Sequence, residues 1–215
     1  MVANGLLLDG DLTHAHSENG EIEYRFKMSE HPGKIRLLGY NNQANMGNYR
    51  QAIDLAAKAG ITPDISQTRS YSTKYGVALN LEQEINSDLG VFSRIGWNDG
   101  ATETWAFTEI DRSFSLGLSL KGTSWHREDD VFGLATIIDG LSKDHADYLT
   151  AGGLGFIIGD GKLNYSPEEV IETYYSYRVL KSLAVTLDVQ GVNHPGYHAD
   201  RGPVAIYGLR VHYQI

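Results

Sequence analysis

The chain has 215 residues, a formal net charge of -9 and no cysteine, and its 24 Gly and 13 Tyr against 5 Pro are typical of aromatic strands joined by flexible turns. This composition excludes collagenous and disordered classes. The acidic balance argues against a nucleic-acid partner, because phosphate binding requires a basic stripe. The lack of cysteine excludes disulfides and thiolate sites, and no apolar run of about 18 residues predicts a membrane-spanning helix.

Alternation of apolar and polar residues at period two predicts strands along most of the chain. In the clearest segment, 21–28, Ile22, Tyr24 and Phe26 lie on one face and charged residues occupy the other. Together the segments make roughly nine strands, each about long enough to cross a bilayer when tilted. The other predicted strands lie at about 34–41, 69–79, 88–97, 110–121, 129–138, 167–178, 182–190 and 203–215.

The connections between these strands alternate in length. Those near 29–33, 80–87, 122–128 and 179–181 are short, and those near 42–68, 98–109, 139–166 and 191–202 are long. Transmembrane β-barrels have short periplasmic turns on one rim and longer loops on the other. The sequence therefore predicts an antiparallel transmembrane β-barrel. Because bacterial single-chain barrels have even strand numbers, about nine strands indicate a truncated one.

Two long connections contain helix-forming sequence. Segment 49–60 is rich in good helix formers and ends at a glycine. Segment 141–149 can begin at Ser142 as a cap. The first is predicted as a small helix at the rim, and the alternative is a loop that folds over the mouth or into the interior.

The final strand carries Tyr207, Leu209, Val211, Tyr213 and Ile215 on one apolar face that runs to the last residue. An apolar strand with aromatic residues at alternate positions resembles the terminal signal of bacterial outer-membrane barrels. The departure is Ile215, because that signal more often ends in Phe or Trp.

Polar residues opposite the apolar faces are the candidate functional residues. A closed sheet would place them around a water-filled interior, which selects solutes by size, charge and hydrogen bonding. Alternatively, each forms only a ladder between neighbouring strands. The predicted lining residues are Arg25, Lys27, Lys34, Arg36, Lys74, Arg94, Glu172, Arg178, Asp188, Gln190, Arg210 and His212. The aromatic residues expected at the membrane interfaces are Trp97, Tyr175, Tyr177 and Tyr213.

Two features resemble parts of enzyme sites, but neither has a convincing context. Segment 152–161 is rich in glycine, yet no helix opens after it, so a dinucleotide site is not predicted. Glu168, Glu169 and Glu172 suggest a catalytic carboxylate pair. However, Glu168 and Glu172 share a predicted strand face with Arg178, and a salt-bridge layer explains them more simply. The sequence therefore predicts that the chain is not an enzyme and binds no cofactor.

Histidines provide only weak candidates for metal binding. His194, His198 and Asp200 combine imidazole and carboxylate donors that suit zinc or manganese, and His14 and His16 provide a second candidate with two imidazoles. All five lie in predicted loops, where solvated side chains are the commoner interpretation. No metal site is therefore predicted.

Several segments, in chain order, carry a family resemblance: 36–49, 117–125 with Arg127 and Asp129 or Asp130, 152–161, 172–175 and 193–204. They resemble the OprB-like carbohydrate-selective porins and cover most of the chain. The resemblance implies an outer-membrane channel of about sixteen strands that passes sugars by facilitated diffusion. Residues 1–215 would form the C-terminal part of its single barrel domain. The family's sugar constriction lies largely in the absent half, so none of its residues is carried over.

The resemblance also implies a location and partners. We expect the bacterial outer membrane, and we expect the secretion signal, which residues 1–5 do not provide, to have been lost by truncation. The implied partners are sugars and outer-membrane lipid. The sequence leaves open whether the channel is a monomer or a homo-oligomer.

Other functions stay open at this point. Some relatives of similar sequence are described as manganese-permeating porins, so a divalent-cation channel is one alternative. A soluble β-sandwich that binds glycans is another. An outer-membrane hydrolase is disfavoured, because no nucleophile and base share a plausible face.

Overall fold

The structure, a computed structural model, describes residues 9–104 and 109–214, and within them the chain forms nine strands and two α-helices. The all-β, antiparallel class predicted from sequence is confirmed. The strands are β1 (His16–Met28), β2 (His31–Met46), β3 (Ser70–Glu84), β4 (Leu89–Asn98), β5 (Arg112–Gly122), β6 (Arg127–Gly140), β7 (Glu168–Leu180), β8 (Leu183–Asn193) and β9 (Val204–Tyr213).

Each strand pairs antiparallel with the next, so the order in the sheet is the order in the chain, β1 to β9. Such a meander needs only hairpin connections. The pairing is long, and in the first hairpin it extends from His16 opposite Gln43 to Met28 opposite His31. Among residues 9–104 and 109–214, β1 and β9 each have one neighbour, so the sheet is open between them.

The strand register divides the side chains into two faces, because directly opposed residues in an antiparallel sheet lie on the same side. The first, which we call the polar face, carries Glu23 opposite Arg36, which in turn lies opposite Asn80. The second, the apolar face, carries Tyr24 opposite Ile35.

Large apolar side chains remain exposed over the whole apolar face. Ile22 is 73% exposed at one end of the sheet and Leu209 is 70% exposed at the other. An apolar surface of this extent is far larger than the patches found on soluble monomers. Further exposed members are Leu37, Tyr75, Val77, Leu116, Ile171, Leu187, Tyr207 and Val211.

Both predicted helices form and use the expected end residues. Helix α1 (Tyr49–Ala59) begins at Asn48, whose side chain accepts a hydrogen bond from the Gln51 N–H, and ends at Gly60 in the left-handed conformation with φ 66°. Helix α2 (Lys143–Thr150) begins at Ser142, which caps the His145 N–H. In the described part of the chain, no helix has the length and apolar character to cross a membrane.

The buried apolar core lies outside the sheet, among the four long connections at one rim. We call this unit the loop cap; it comprises 47–69, 99–104 with 109–111, 141–167 and 194–203. The polar face contributes buried Ala44 and Met46 next to it. The core of the loop cap consists of Tyr49, Ala52, Ile65, Leu141, Tyr148, Leu149, Leu163 and Tyr197.

Three strands extend about five residues past a predicted end, and the first of them, β1, begins at His16 instead of near 21. β2 extends to Met46 instead of ending near 41, and β3 extends to Glu84 instead of ending near 79. The β2 extension is rich in polar residues (Asn42, Gln43 and Asn45), as is the β3 extension (Asn80, Glu82, Gln83 and Glu84), so apolar–polar alternation is weak in both. Residues 1–8, the 105–108 part of the predicted loop 98–109, and Ile215 lie outside the described residues.

Candidate functional site

The strand register places all twelve predicted lining residues on the polar face. Residues that lie directly opposite each other on neighbouring strands share this face, for example Arg25 opposite Lys34 and Glu172 opposite Gln190. The set is Arg25, Lys27, Lys34, Arg36, Lys74, Arg94, Glu172, Arg178, Asp188, Gln190, Arg210 and His212.

On β1 to β3 the polar face carries a ladder of ion pairs. Arg36 Nε lies 2.5 Å from Glu23 Oε2, and Arg36 Nη1 lies 2.9 Å from Glu82 Oε1. Lys34 Nζ lies 2.8 Å from the other oxygen of Glu82. These side chains are partly exposed, so each pair stabilises the fold by at most ~1 kcal/mol. Their main effect is to fix closely spaced charges of both signs on one surface.

In the middle of β7 and β8 the polar face carries the two acidic residues Glu172 and Asp188. The Gln190 amide donates to Asp188 Oδ1 over 3.1 Å, and Glu172 lies directly opposite Gln190 on the same face. Within the described residues, no ion pair joins Glu172 to Arg178. The salt-bridge layer expected around Arg178 is therefore replaced by a carboxyl and amide cluster.

Lys74 differs from the other predicted lining residues because the loop cap covers it. Its side chain is buried, donates to the Thr102 carbonyl over 2.8 Å and lies 3.6 Å from Asp111 Oδ1. A lysine buried this deeply requires a charged partner. Lys74 thus joins the polar face to the loop cap, and the contact shows that the cap lies on the polar side of the sheet.

A buried carboxylate at the start of β5 organises the loop cap. Asp111 Oδ2 accepts hydrogen bonds from His145 Nδ1 and from the Ser142 N–H, each 2.9 Å long. Burial by itself would raise the pKa of Asp111. The hydrogen bond and charge of His145, with Lys74 and the Ser142 N–H, outweigh it and lower the pKa to about 2. Asp111 is therefore a buried anion that holds the start of α2.

The approach of α2 to this carboxylate depends on a glycine. Ser142 Oγ donates to the Gly100 carbonyl over 2.6 Å, and a β-carbon at Gly100 would lie 2.3 Å from the Ser142 β-carbon. Gly100 also has a φ of 62°, which favours glycine. On the other side, the Tyr49 ring stacks on His145 with centroids 4.3 Å apart, so α1 closes the cluster.

A second buried carboxylate folds the glycine-rich segment of the cap. The Glu109 oxygens accept hydrogen bonds from the N–H groups of Phe156, Ile157 and Ile158, at 3.0, 2.9 and 3.2 Å. The Tyr197 hydroxyl donates to the Glu109 carbonyl over 2.8 Å. This segment is therefore wrapped around a carboxylate of its own chain.

Further ion pairs tie the remaining parts of the cap together. The two carboxylate oxygens of Glu103 accept hydrogen bonds from the Arg69 guanidinium, at 2.6 and 3.0 Å. Arg50 of α1 donates to Asp144 and Asp147 of α2, at 2.5 and 2.8 Å. The sequence analysis missed these groups and the Asp111–His145 pair. The only signal for them was the presence of charged residues within predicted helices and loops.

The four residues expected at the membrane interfaces lie on the apolar face. Trp97 lies at the cap end of β4, whereas Tyr175 and Tyr177 of β7 and Tyr213 of β9 lie toward the short turns. The Tyr175 hydroxyl also donates to buried Asp130 over 2.7 Å. These rings combine an apolar body with a polar tip, as expected where lipid meets water.

Asp130 anchors the turn between β5 and β6. Arg127 binds both of its oxygens at 2.9 and 3.0 Å, and the Arg178 N–H donates to it over 2.8 Å. The Trp125 indole donates to the Tyr175 hydroxyl over 2.9 Å. Residues 125–130, part of the sequence resemblance, therefore form a hydrogen-bonded connection from this turn to β7.

The weak metal candidates are each bound to other groups of the protein. His194 Nδ1 lies 2.9 Å from Ser166 Oγ and His198 Nε2 lies 3.1 Å from the Lys162 carbonyl. Asp200 accepts from Asn164 over 3.1 Å. Across 9–104 and 109–214, no cluster of three or more His, Cys, Asp or Glu side chains has a geometry that could hold a metal ion.

The other two sets of candidate residues are also dispersed. Glu168 and Glu169 point to opposite faces of β7, and Glu168 accepts a hydrogen bond from the Gly196 N–H over 2.7 Å. His14 lies 2.9 Å from Asp11 Oδ2. The pKa of Asp11 is lowered to about 2, chiefly by its hydrogen bonds with Thr13 and His14.

Comparison with known proteins identifies the family. The sequence model of the carbohydrate-selective porin, OprB family, matches residues 2–215. The high-pH structure of OprB from Pseudomonas putida is similar, with a TM-score of 0.77 and 20% sequence identity. The match covers 99% of this chain and 52% of that one, so the chain spans about half its length. No curated protein matches the sequence. The nine-stranded sheet of the present chain has the fold of a porin barrel wall, and the chain belongs to the OprB family of carbohydrate-selective outer-membrane porins.

Proposed function

We propose that residues 1–215 form the C-terminal part of a water-filled outer-membrane β-barrel through which carbohydrates pass by passive or facilitated diffusion. The observation that carries the proposal is the two-faced sheet, with charged side chains on one surface and exposed apolar side chains on the other. Such a sheet fits a barrel wall with lipid outside and water inside. Family and fold indicate a channel and not an enzyme.

In this proposal the apolar face contacts the lipid, and the polar face presents charges and hydrogen-bonding groups to the solute. The loop cap lies on the polar side at the rim of the long connections, as the Lys74 contact with Thr102 demonstrates. It would narrow the entrance and restrict entry by size. Because outer-membrane barrels place their long loops outside the cell, the cap would face the exterior.

Additional strands would complete the barrel. β1 and β9 each leave one edge without a neighbour among the described residues, and unpaired backbone groups in lipid cost several kcal/mol each. About sixteen strands in total would agree with a chain that spans about half the length of the OprB structure. We also propose that the secretion signal belongs to the part that precedes this chain in the full-length protein.

A matched pair of substitutions on one strand tests the orientation. Leu116 and Ser119 both belong to β5, but Leu116 lies on the apolar face and Ser119 on the polar face. In the full-length protein, we expect Leu116→Lys to prevent assembly, because a lysine facing lipid costs ~2–4 kcal/mol near the membrane centre. We expect Ser119→Lys to be tolerated. Folded barrel is measured by heat-modifiable mobility in gels; equal tolerance of both changes would contradict the proposed orientation.

Permeation itself is tested with the full-length protein in lipid bilayers and in liposomes. We expect stepwise ion conductance and swelling of liposomes in D-glucose. A water-soluble monomer with no conductance would refute the channel and favour the glycan-binding sandwich. Flux of Mn²⁺ without swelling in sugar would refute carbohydrate transport and favour the divalent-cation channel.

A further inference from the structure

Three aromatic side chains on the polar face each lie against a glycine of a neighbouring strand. Tyr40 of β2 is directly opposite Gly76, and Tyr174 of β7 is directly opposite Gly133. A β-carbon added at Gly76 would be 2.6 Å from the Tyr40 ring, and one at Gly133 would be 2.1 Å from the Tyr174 ring. The third pair is Phe92 of β4 and Gly117 of β5, at 2.6 Å.

The glycines determine how these rings are held. With any larger residue opposite, each ring would have to stand away from the sheet. With glycine, the ring lies over the neighbouring backbone and can present its second face to the interior. At Phe92 that face is covered, because the Arg94 guanidinium lies 4.9 Å from the ring centroid. Tyr40 and Tyr174 are therefore the two candidate platforms.

Each of the three rings lies six residues from one end of its strand. Tyr40 lies six residues before Met46 at the end of β2, and Phe92 lies six before Asn98 at the end of β4. Tyr174 lies six residues after Glu168, where β7 begins. All three strand ends belong to the rim that carries the loop cap. At about 3.3 Å per residue, each ring is roughly 20 Å along its strand from that rim.

Each ring also has a hydrogen-bonding side chain on the side away from its glycine. Asn19 lies directly opposite Tyr40, and Asp188 lies directly opposite Tyr174. The same arrangement of polar residue, ring and glycine thus recurs across three sets of adjacent strands. The three sets are Asn19–Tyr40–Gly76, Glu82–Phe92–Gly117 and Asp188–Tyr174–Gly133.

We propose that Tyr40 and Tyr174, each with its opposed polar residue, are subsites on which pyranose rings stack while they cross the barrel. A pyranose presents a face of C–H groups and an edge of hydroxyls. An aromatic ring covers the first, and the Asn19 amide or the Asp188 carboxylate hydrogen bonds with the second. This inference rests on the proposed carbohydrate permeation and names the residues that contact the sugar.

The test is sugar block of ion current through the full-length channel in a planar bilayer. D-glucose and the acyclic sugar alcohol sorbitol serve as probes, because sorbitol has the hydroxyls but no pyranose face. For Tyr174→Leu we expect the glucose dissociation constant to rise about three- to tenfold, as expected for the loss of one aromatic stacking contact. Block by sorbitol should not change. Tyr207→Leu, on the apolar face, is the control and should leave both unchanged.

Two further variants separate stacking from packing. Tyr174→Phe keeps the ring and should retain glucose affinity, whereas Gly133→Ala displaces the ring from the sheet and should weaken glucose block. If Tyr174→Leu does not assemble, Tyr40→Leu provides the same measurement at the other platform.

The outcomes distinguish this inference from the function on which it rests. Wild-type channels that neither admit nor bind glucose would refute the proposed function. Channels that admit and bind glucose, with equal dissociation constants in the wild type and in the leucine variants, would refute the stacking subsites alone. A parallel loss of glucose and sorbitol block would also refute them, since it would indicate a general change in the pore.

Discussion

Replacement of the buried Asp111 by asparagine should loosen the loop cap while the sheet remains intact. Asp111 Oδ2 accepts two hydrogen bonds of 2.9 Å and lies in one cluster with His145 and Lys74. Its pKa of about 2, against an ordinary value of 3.8, corresponds to roughly 2 kcal/mol of favourable interaction with the anion. Asparagine would also leave Lys74 buried without a formal negative partner. We therefore expect the cap to lose about 2–4 kcal/mol.

Hydrogen exchange of the backbone amides of α2 measures this loss in the full-length protein. A loss of 2–4 kcal/mol in the free energy of local opening corresponds to roughly 30- to 800-fold faster exchange. Amides of β5 to β8 should keep their protection, because strand pairing does not depend on the cap. Asp54→Asn, an exposed change on α1, is the matched control. Unchanged exchange in α2 of Asp111→Asn would refute the claim that this carboxylate organises the cap.

Three other predictions concern the same two regions. The pKa of Asp111 is lowered in the folded cap, so its contribution to the stability of the cap is complete above about pH 5 and is lost as the pH falls from about 4 through 2. Cleavage of the cap by pepsin should therefore rise over this range in the wild type and rise less in Asp111→Asn. Glu109→Gln loses acceptor capacity for the three N–H groups of the 156–158 segment and should cost ~1–3 kcal/mol, seen as faster proteolysis within 154–161. Arg36→Gln removes a positive charge from the polar face and should shift the reversal potential in a KCl gradient toward cation selectivity, whereas Lys58→Gln on α1 should not.

Much of the fold was predictable because the apolar–polar alternation within each strand shows which residues share a face. In β8, Leu183, Val185, Leu187 and Val189 alternate with more polar residues, and this local pattern alone places them together on the apolar face. The polar residues opposite such runs fall on one face for the same reason. The alternation of short and long connections adds the antiparallel order. Strand ends were less predictable, because Asn41, Asn42, Gln43 and Asn45 put polar residues on both faces at the end of β2.

The loop cap was predictable only in part. The sequence near α1 and α2 indicates both helices, but the pairing of Asp111 with His145 joins residues 34 positions apart. No local pattern specifies such a contact. The aromatic–glycine pairs were missed for a related reason. Tyr40 and Gly76 belong to different strands, and only the register of β2 against β3 brings them together.

The loop cap has a mechanical consequence for the wall from which it extends. Strand pairing resists shear between neighbours but leaves a sheet free to splay and bend. The contacts of Tyr49 with Tyr148 and of Arg50 with Asp144 instead join the connection after β2 to the connection after β6, across the four strands β3 to β6. By joining two separated connections, these contacts should restrict bending of the sheet at the rim that carries the loop cap. At the opposite rim, contacts such as Thr123 with Asp88 and Trp125 with Tyr175 reach only the neighbouring turn or a nearby strand, so the wall should be stiffer at the cap end.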